Sequence, residues 1–427
     1  MQSFTYRDNH LCCDDLSLAD LAHQYGTPAY VYSAAALRQS YRALRDAFAP
    51  ANPLICYAVK ANDRLAVARV LQKEGSGFDI VSGGELFRVL QLGADPAAIV
   101  YAGVGKNRAE IEAALRSQIL LLNVESIPEL KRINDVAGSL GATAPIALRL
   151  NPDIDTDTHR HTTTGKKGSK FGIDLVAAAT LLPRMSEYRH VRLAGFHVHL
   201  GSPINTPGPY AQAMPILLDF IAVARRNGAH IEYLDIGGGY GIEYQGGETA
   251  APSDYAGAIL PGARESGCRL ILEPGRFLVG NAAVLLTRVE YVKETSDKTF
   301  VICDAGMSDL IRPALYDAYH RIWPVRTEQP LPFGPQALAE TAGRVAVDVV
   351  GPICESGDYL AQGRPLPPVR HGDLLAVFSA GAYGASMSSN YNSRPRCCEI
   401  MIEDNSARII RERETNEDLI AHEHVDP

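Results

Sequence analysis

The chain has no basic excess. Its 41 Lys and Arg residues face 49 Asp and Glu, a formal net charge of -8. A nucleic-acid binder needs surplus cations to neutralise phosphates, so that class is excluded. Long apolar runs are also missing. The longest candidate, near Ala213–Ala224, is interrupted by Pro215 and Asp219 and is too short to span a bilayer. The first residues, Met1-Gln2-Ser3-Phe4-Thr5-Tyr6-Arg7-Asp8, contain no apolar core of a secretory signal. The eight cysteines include no C-x-x-C pair, which sets aside zinc-finger and thioredoxin-like readings. Reduced thiols and a cytoplasmic location are the expectation. One more absence matters for fold. No glycine-rich turn follows the first clear strand, as an open doubly wound sheet would need for its ligand.

What is present is ordinary globular composition, 46% hydrophobic and 21% charged, in a chain of 427 residues, long enough for two domains. From residue 54 a rhythm sets in. Short apolar runs fall at Leu54–Val59, Gly77–Val81, Ile99–Ala102, Ile119–Val124, Pro145–Leu150, Leu193–Leu200, Tyr233–Ile236 and Arg269–Leu272. Amphipathic helical patterns lie between most of them, at Arg64–Glu74, Gly84–Leu92, Arg108–Arg116 and Ile127–Leu140. This alternation predicts an α/β fold built on a parallel (β/α)₈ barrel. After about residue 280 the runs become strand-like, with Gly and Pro between them, and predict a second, β-rich domain of Greek-key or sandwich type. The expected boundaries are 1–32 for N-terminal strands joining the β-rich domain, 33–278 for the barrel and 279–427 for the remainder. A helix is expected over Ala34–Ala47, capped by Ser33. Residues 326–340 are expected to be a loop, the tail from Arg411 helical or frayed, and the polar Asp155–Gly168 stretch a mobile lid.

The first barrel run ends in Tyr57-Ala58-Val59-Lys60-Ala61-Asn62. An amine at the mouth of an apolar strand is costly to desolvate, which lowers its pKa and makes it a nucleophile for an aldehyde such as pyridoxal phosphate. Taken alone, this hexapeptide is better explained by a lysine that snorkels at a strand end. The ends of the other strands change that balance, because barrel enzymes bind ligands there. Strand two carries Asp79, strand five Arg149, strand six His197-Val198-His199-Leu200-Gly201-Ser202, strand seven Gly237-Gly238-Gly239 and strand eight Glu273-Pro274-Gly275-Arg276. Glycines let backbone N–H groups close on a phosphate, and Ser202 adds a hydroxyl. Glu273 suits a protonated pyridine nitrogen, and His199 suits stacking on the ring. Asp79 and Arg149 suit orienting the amine. In the second domain, Arg312 together with Arg276 points to a carboxylate and Glu355 to an ammonium, hence a zwitterionic substrate. No metal site is expected.

The chain resembles the fold type III pyridoxal-phosphate-dependent decarboxylases nearly end to end. The resemblance rests on Y-A-V-K-A-N, F-D-I-V-S-G-G-E-L, the Thr164–Ile173 segment, H-V-H-L-G-S, D-I-G-G-G-Y, E-P-G-R, I-R-P-A-L-Y, C-E-S-G-D, G-A-Y and S-S-N-Y-N-S-R-P-R. It implies that Lys60 carries the cofactor and that Gly239, Glu273, Gly275, Arg276 and Tyr383 contact it; the reading of the strand ends adds Asp79, His199, Ser202 and Gly238 to the cofactor-binding set. It implies a substrate held by Arg276, Arg312, Tyr316, Glu355 and Tyr383, with Cys354 as general acid delivered from the second subunit of a homodimer. The implied reaction is decarboxylation of meso-2,6-diaminopimelate to L-lysine, the alternative substrates being ornithine, lysine or arginine. Pro203 and Phe277 depart from the family pattern beside the phosphate loops.

Overall fold

A computed structural model describes residues 3–155, 169–245, 247, 249–329, 331–332 and 342–425. The expected lid over Asp155–Gly168 lies outside the described residues in all but Asp155, as does most of the expected 326–340 loop from Pro330 onward. Contacts divide the chain into two compact units, Ser40–Ile242 with Thr249–Leu278, and Met1–Gln39 with Glu243–Glu248 and Val279–Pro427.

The first unit is a closed parallel barrel. Its strands, one to eight, are Leu54–Ala58, Gly77–Ile80, Ile99–Tyr101, Leu121–Val124, Ala144–Asn151, Val191–His197, Tyr233–Asp235 and Arg269–Leu272. Each pairs with the next, and strand eight returns to strand one with Ile271 opposite Leu54. The expected helices form as well, for example Arg108–Arg116, started by an Asn107–Glu110 capping box.

Side chains on a strand alternate between faces, so every second residue points into the barrel. The floor is apolar: Leu54, Cys56, Val100, Leu121, Ala147, Ala194 and Ile271 form one buried cluster. Two residues further along strands four, five and eight stand Asn123, Arg149 and Glu273, all buried. Asp79, His197 and Asp235 are buried too. The same alternation that fills the floor therefore lifts a polar layer above it, at the C-terminal ends of the strands.

The second unit centres on one long strand, Ala283–Glu294. Its first half pairs with Ala29–Ser33 and Leu374–Val377, its second with Thr299–Cys303, and a register shift falls between Val289 and Tyr291. Such an irregularity lets one strand turn between two sheet directions. Val345–Val350 and Tyr359–Leu366 extend one side, Cys398–Glu403 and Ser406–Arg411 the other. The last strand ends at Arg411, and the tail beyond it is irregular except for a short helix, Asn416–Ile420.

The N-terminal residues fall in the second unit, yet not all of them as strands of its large sheet. Only Ala29–Ser33 enters the large sheet. Phe4–Arg7, His10–Cys13 and Leu16–Ser17 make a three-stranded sheet of their own. A helix, Leu18–Tyr25, follows, capped by Ser17 and burying Leu18, Leu21 and Ala22. The i, i+3, i+4 spacing of those three residues accounts for it.

Candidate functional site

Strand register places Asp79 opposite Ala58, two residues before Lys60. The Lys60 amine makes an ion pair with Asp79 Oδ2, the lysine side chain being 31% exposed and the aspartate fully buried. The amine is thus not desolvated among apolar groups, as the sequence suggested; it meets a counter-charge instead. Burial and the nearby charge of Glu273 raise the Asp79 carboxyl above the usual carboxylate range, and the Lys60 charge pulls it back. The second oxygen, Oδ1, is buried and without a hydrogen-bond partner among the described residues.

Glu273 follows strand eight directly. Its N–H donates to the Gly237 carbonyl at 2.8 Å, and the next carbonyl, that of Pro274, accepts from Ala58 N–H at 3.1 Å. These two bonds tie the exits of strands seven, eight and one together, and so hold Lys60 beside Glu273. The Glu273 carboxylate lies 3.1 Å from His197 Nε2 and accepts from Asn123 Nδ2 at 3.2 Å, which also reaches Asp235 at 3.3 Å. Two buried carboxyls this close cannot both ionise cheaply. Burial, then the Glu273 charge, pushes Asp235 well up, so it keeps its proton. Burial also works against Glu273, but His197, by charge and hydrogen bond, and then the Lys60 charge hold it well below its ordinary value. Glu273 is the anion of the pair. Sequence reading passed over Asn123 and Asp235 and gave His197 no role. Asn123 and Asp235 stand two residues past Leu121 and Tyr233, which was the available signal; His197 stands three past Ala194, across a register irregularity that hides it.

A cavity of about 410 Å³ opens at this end of the barrel, lined by Lys60, Arg149, Phe171, His197, His199 and Glu273 among others. Arg149 is held by Glu125 at 2.6 Å and lies over the Phe171 ring. Glu125 also accepts from the N–H groups of Gly103 and Gly172, so it fixes both margins of the cavity. His199 is neutral, because burial and the charges of Arg149 and Lys60 depress its protonation.

The triple glycine is required by close approach. A methyl at Gly238 would overlap the Glu273 carbonyl, and one at Gly239 the Gly201 carbonyl. Gly237 and Gly239 also have positive φ, 67° and 106°. The N–H inventory narrows the expected phosphate cradle. Gly237 N–H donates to Asp235 and Gly238 N–H to His199 Nδ1 at 3.3 Å, so Gly239 N–H is the one these side chains leave for a ligand. Ser202 accepts from Arg276 Nε at 3.0 Å, and Gly275 packs against Ala58 and Ala61. Together these features fit pyridoxal phosphate: an amine at the rim, a buried anion for the ring nitrogen and a side-chain-free wall for the phosphate.

Arg312, Tyr316, Cys354, Glu355 and Tyr383 belong to the other unit. Cys354 and Glu355 are exposed on one loop. That loop is pinned at three points. Cys354 N–H donates to Asn392 Oδ1 at 2.7 Å, Tyr391 reaches Glu355 at 3.4 Å, and buried Asp358 accepts from the N–H groups of Ile353 and Met307, each at 2.6 Å. Asp358→Asn keeps the volume but turns one acceptor into a donor facing an N–H. Unfolding by denaturant is expected to show a loss of about 1–3 kcal/mol. An unchanged midpoint would show that the staple contributes nothing.

A barrel with a lysine at its rim and a buried anion opposite, in a chain that also carries a β-rich unit, is the arrangement of a pyridoxal-dependent lyase. The family model described as pyridoxal-dependent decarboxylase, pyridoxal binding domain, matches residues 34–280, and the chain belongs to this family. Its full-length relatives carry a more particular name. It is 46% identical over 415 residues to the diaminopimelate decarboxylase of Neisseria meningitidis serogroup B, covering 97% of each chain. Identity to that of Vibrio cholerae serotype O1 is also 46%, over 100% of both. The crystal structure of diaminopimelate decarboxylase from Helicobacter pylori complexed with L-lysine superposes with a TM-score of 0.88 at 39% identity, covering 94% of this chain and 98% of that one. No helix among the described residues is long and apolar enough to cross a membrane.

Proposed function

We propose that the chain decarboxylates meso-2,6-diaminopimelate to L-lysine, the last step of lysine biosynthesis, using pyridoxal 5'-phosphate held by Lys60. The observation that carries this reading is the Lys60–Asp79 pair facing anionic Glu273 across one cavity. When bound, the cofactor supplies a sink for the electron pair left behind as CO₂ departs.

The side chains have separate tasks. Asp79 orients the Lys60 amine and balances its charge. Glu273 holds a proton on the pyridine nitrogen, and Asn123 and His197 keep that carboxylate in place. Neutral His199 presents a ring face without adding positive charge near the Lys60 amine. Gly239 N–H, Ser202, Gly238, Gly275 and Arg276 form the wall for the phosphate. Tyr383 touches cofactor and substrate. Arg276, Arg312 and Tyr316 take the distal carboxylate, and Glu355 takes the distal ammonium. Cys354 gives the proton that replaces CO₂ on the α-carbon. It works in a homodimer, each site borrowing Cys354 and Glu355 from the partner subunit, in the cytoplasm.

Release of CO₂ from meso-diaminopimelate, L-ornithine, L-lysine and L-arginine, with and without added pyridoxal phosphate, tests the reading. Turnover of diaminopimelate alone, stimulated by the cofactor, is expected. The other substrates offer Arg312 no distal carboxylate, and preferential turnover of any of them would reassign the enzyme.

A further inference from the structure

Arg312 opens a five-residue helix and is only 7% exposed. A guanidinium recognises a carboxylate through a planar fork, so its direction matters as much as its charge. Two side chains of the same unit set that direction. Arg312 Nη1 lies 2.7 Å from His320 Nε2, and the Arg312 guanidinium carbon stands 4.9 Å over the centre of the Tyr244 ring. His320 is fully buried, and its Nδ1 lies 2.8 Å from the Phe378 carbonyl. A carbonyl only accepts, so the imidazole proton belongs on Nδ1. Nε2 is then an acceptor, the one role that suits an Arg N–H. Tyr244 and His320 meet edge to face, with centroids 5.5 Å apart and planes at 82°. The face of the guanidinium is thereby set by one ring and an edge by the other. Each of these two rings meets the guanidinium as a neutral group, so they contribute direction rather than a counter-charge.

We propose that His320 and Tyr244 are positioning residues that aim Arg312 at the substrate's distal carboxylate, and so determine preference for substrates that carry one. The proposal rests on Arg312 being the distal-carboxylate holder. Neither residue stood out in the sequence, because nothing local links Tyr244 to His320.

Two inhibitors separate aiming from general damage. L-lysine keeps the distal carboxylate, whereas cadaverine lacks both carboxylates. In the holoenzyme, His320→Leu and Tyr244→Leu are each expected to raise the inhibition constant for L-lysine about ten-fold, the scale of one charge-assisted hydrogen bond. The constant for cadaverine should stay within about two-fold in both variants. Tyr244→Phe keeps the ring face and His320→Gln restores an acceptor, so both should return towards wild type. Should His320→Leu fail to fold, the Tyr244 pair decides. Equal weakening of both inhibitors, or no change, overturns the proposal. Arg312→Ala distinguishes the two layers. If it weakens L-lysine while the His320 and Tyr244 variants do not, Arg312 keeps its role and only the positioning is wrong. If Arg312→Ala leaves L-lysine unaffected, both fall.

Discussion

Lys60→Ala is expected to release CO₂ at least about a thousand-fold more slowly than wild type and to lose the absorbance of covalently held pyridoxal phosphate. The two losses should appear together, since one amine serves both purposes. The chain should still fold. Without the amine, Asp79 loses the charge that draws its carboxyl down, and burial with the Glu273 charge leaves it protonated. The sign of the pH dependence follows. The unfolded chain ionises this carboxyl near its reference value of about 3.9, the folded variant does not, and stability falls as pH rises above that point. The wild-type carboxyl is itself raised to about 8, so thermal melts of the two proteins should slope alike below that pH, and the variant should go on losing stability above it where the wild type levels off. A variant that retains the bound-cofactor absorbance would place the attachment on another side chain.

Cys354→Ala is expected to separate the two readouts. The bound-cofactor absorbance should persist, because Lys60, Asp79 and Glu273 are untouched. Turnover should fall about 10²- to 10⁴-fold, the usual contribution of a positioned general acid. Cys354 is exposed, and its loop is pinned by Asn392 and Asp358, which suits the proposed delivery to a second copy of the chain. Mixing the Lys60→Ala and Cys354→Ala proteins and allowing subunit exchange is then expected to restore up to about one quarter of wild-type activity. Half the dimers would be mixed, each with one intact site of two. A fully active Cys354→Ala enzyme would remove this residue from proton transfer. Absence of any recovery on mixing would argue against sites shared between subunits.

The barrel was legible because its strands are buried on both faces and read as short unbroken apolar runs, separated by helices with clear caps. Arg108–Arg116 and Ala34–Ala47 appear with the bounds the spacing predicts. The strand-end residues could be named because barrel topology says where ligands bind. Their partners were less visible. Asn123, His197, Asp235 and Glu273 meet only because the barrel closes, across up to 150 positions of sequence. Propensity and spacing cannot report such contacts. The N-terminal sheet and the Leu18–Tyr25 helix escaped because each piece is too short to carry a strong period. The triple glycine was seen for its phosphate role, yet crowding against the Glu273 and Gly201 carbonyls dictates at least as much of it.

Reduction of the holoenzyme with borohydride, followed by proteolysis and peptide mapping, addresses the central claim most directly. The reduced cofactor is expected on the peptide containing Tyr57-Ala58-Val59-Lys60, attached to the Lys60 amine. A label on any other lysine, or no label in a preparation that still releases CO₂ from diaminopimelate, would contradict the account.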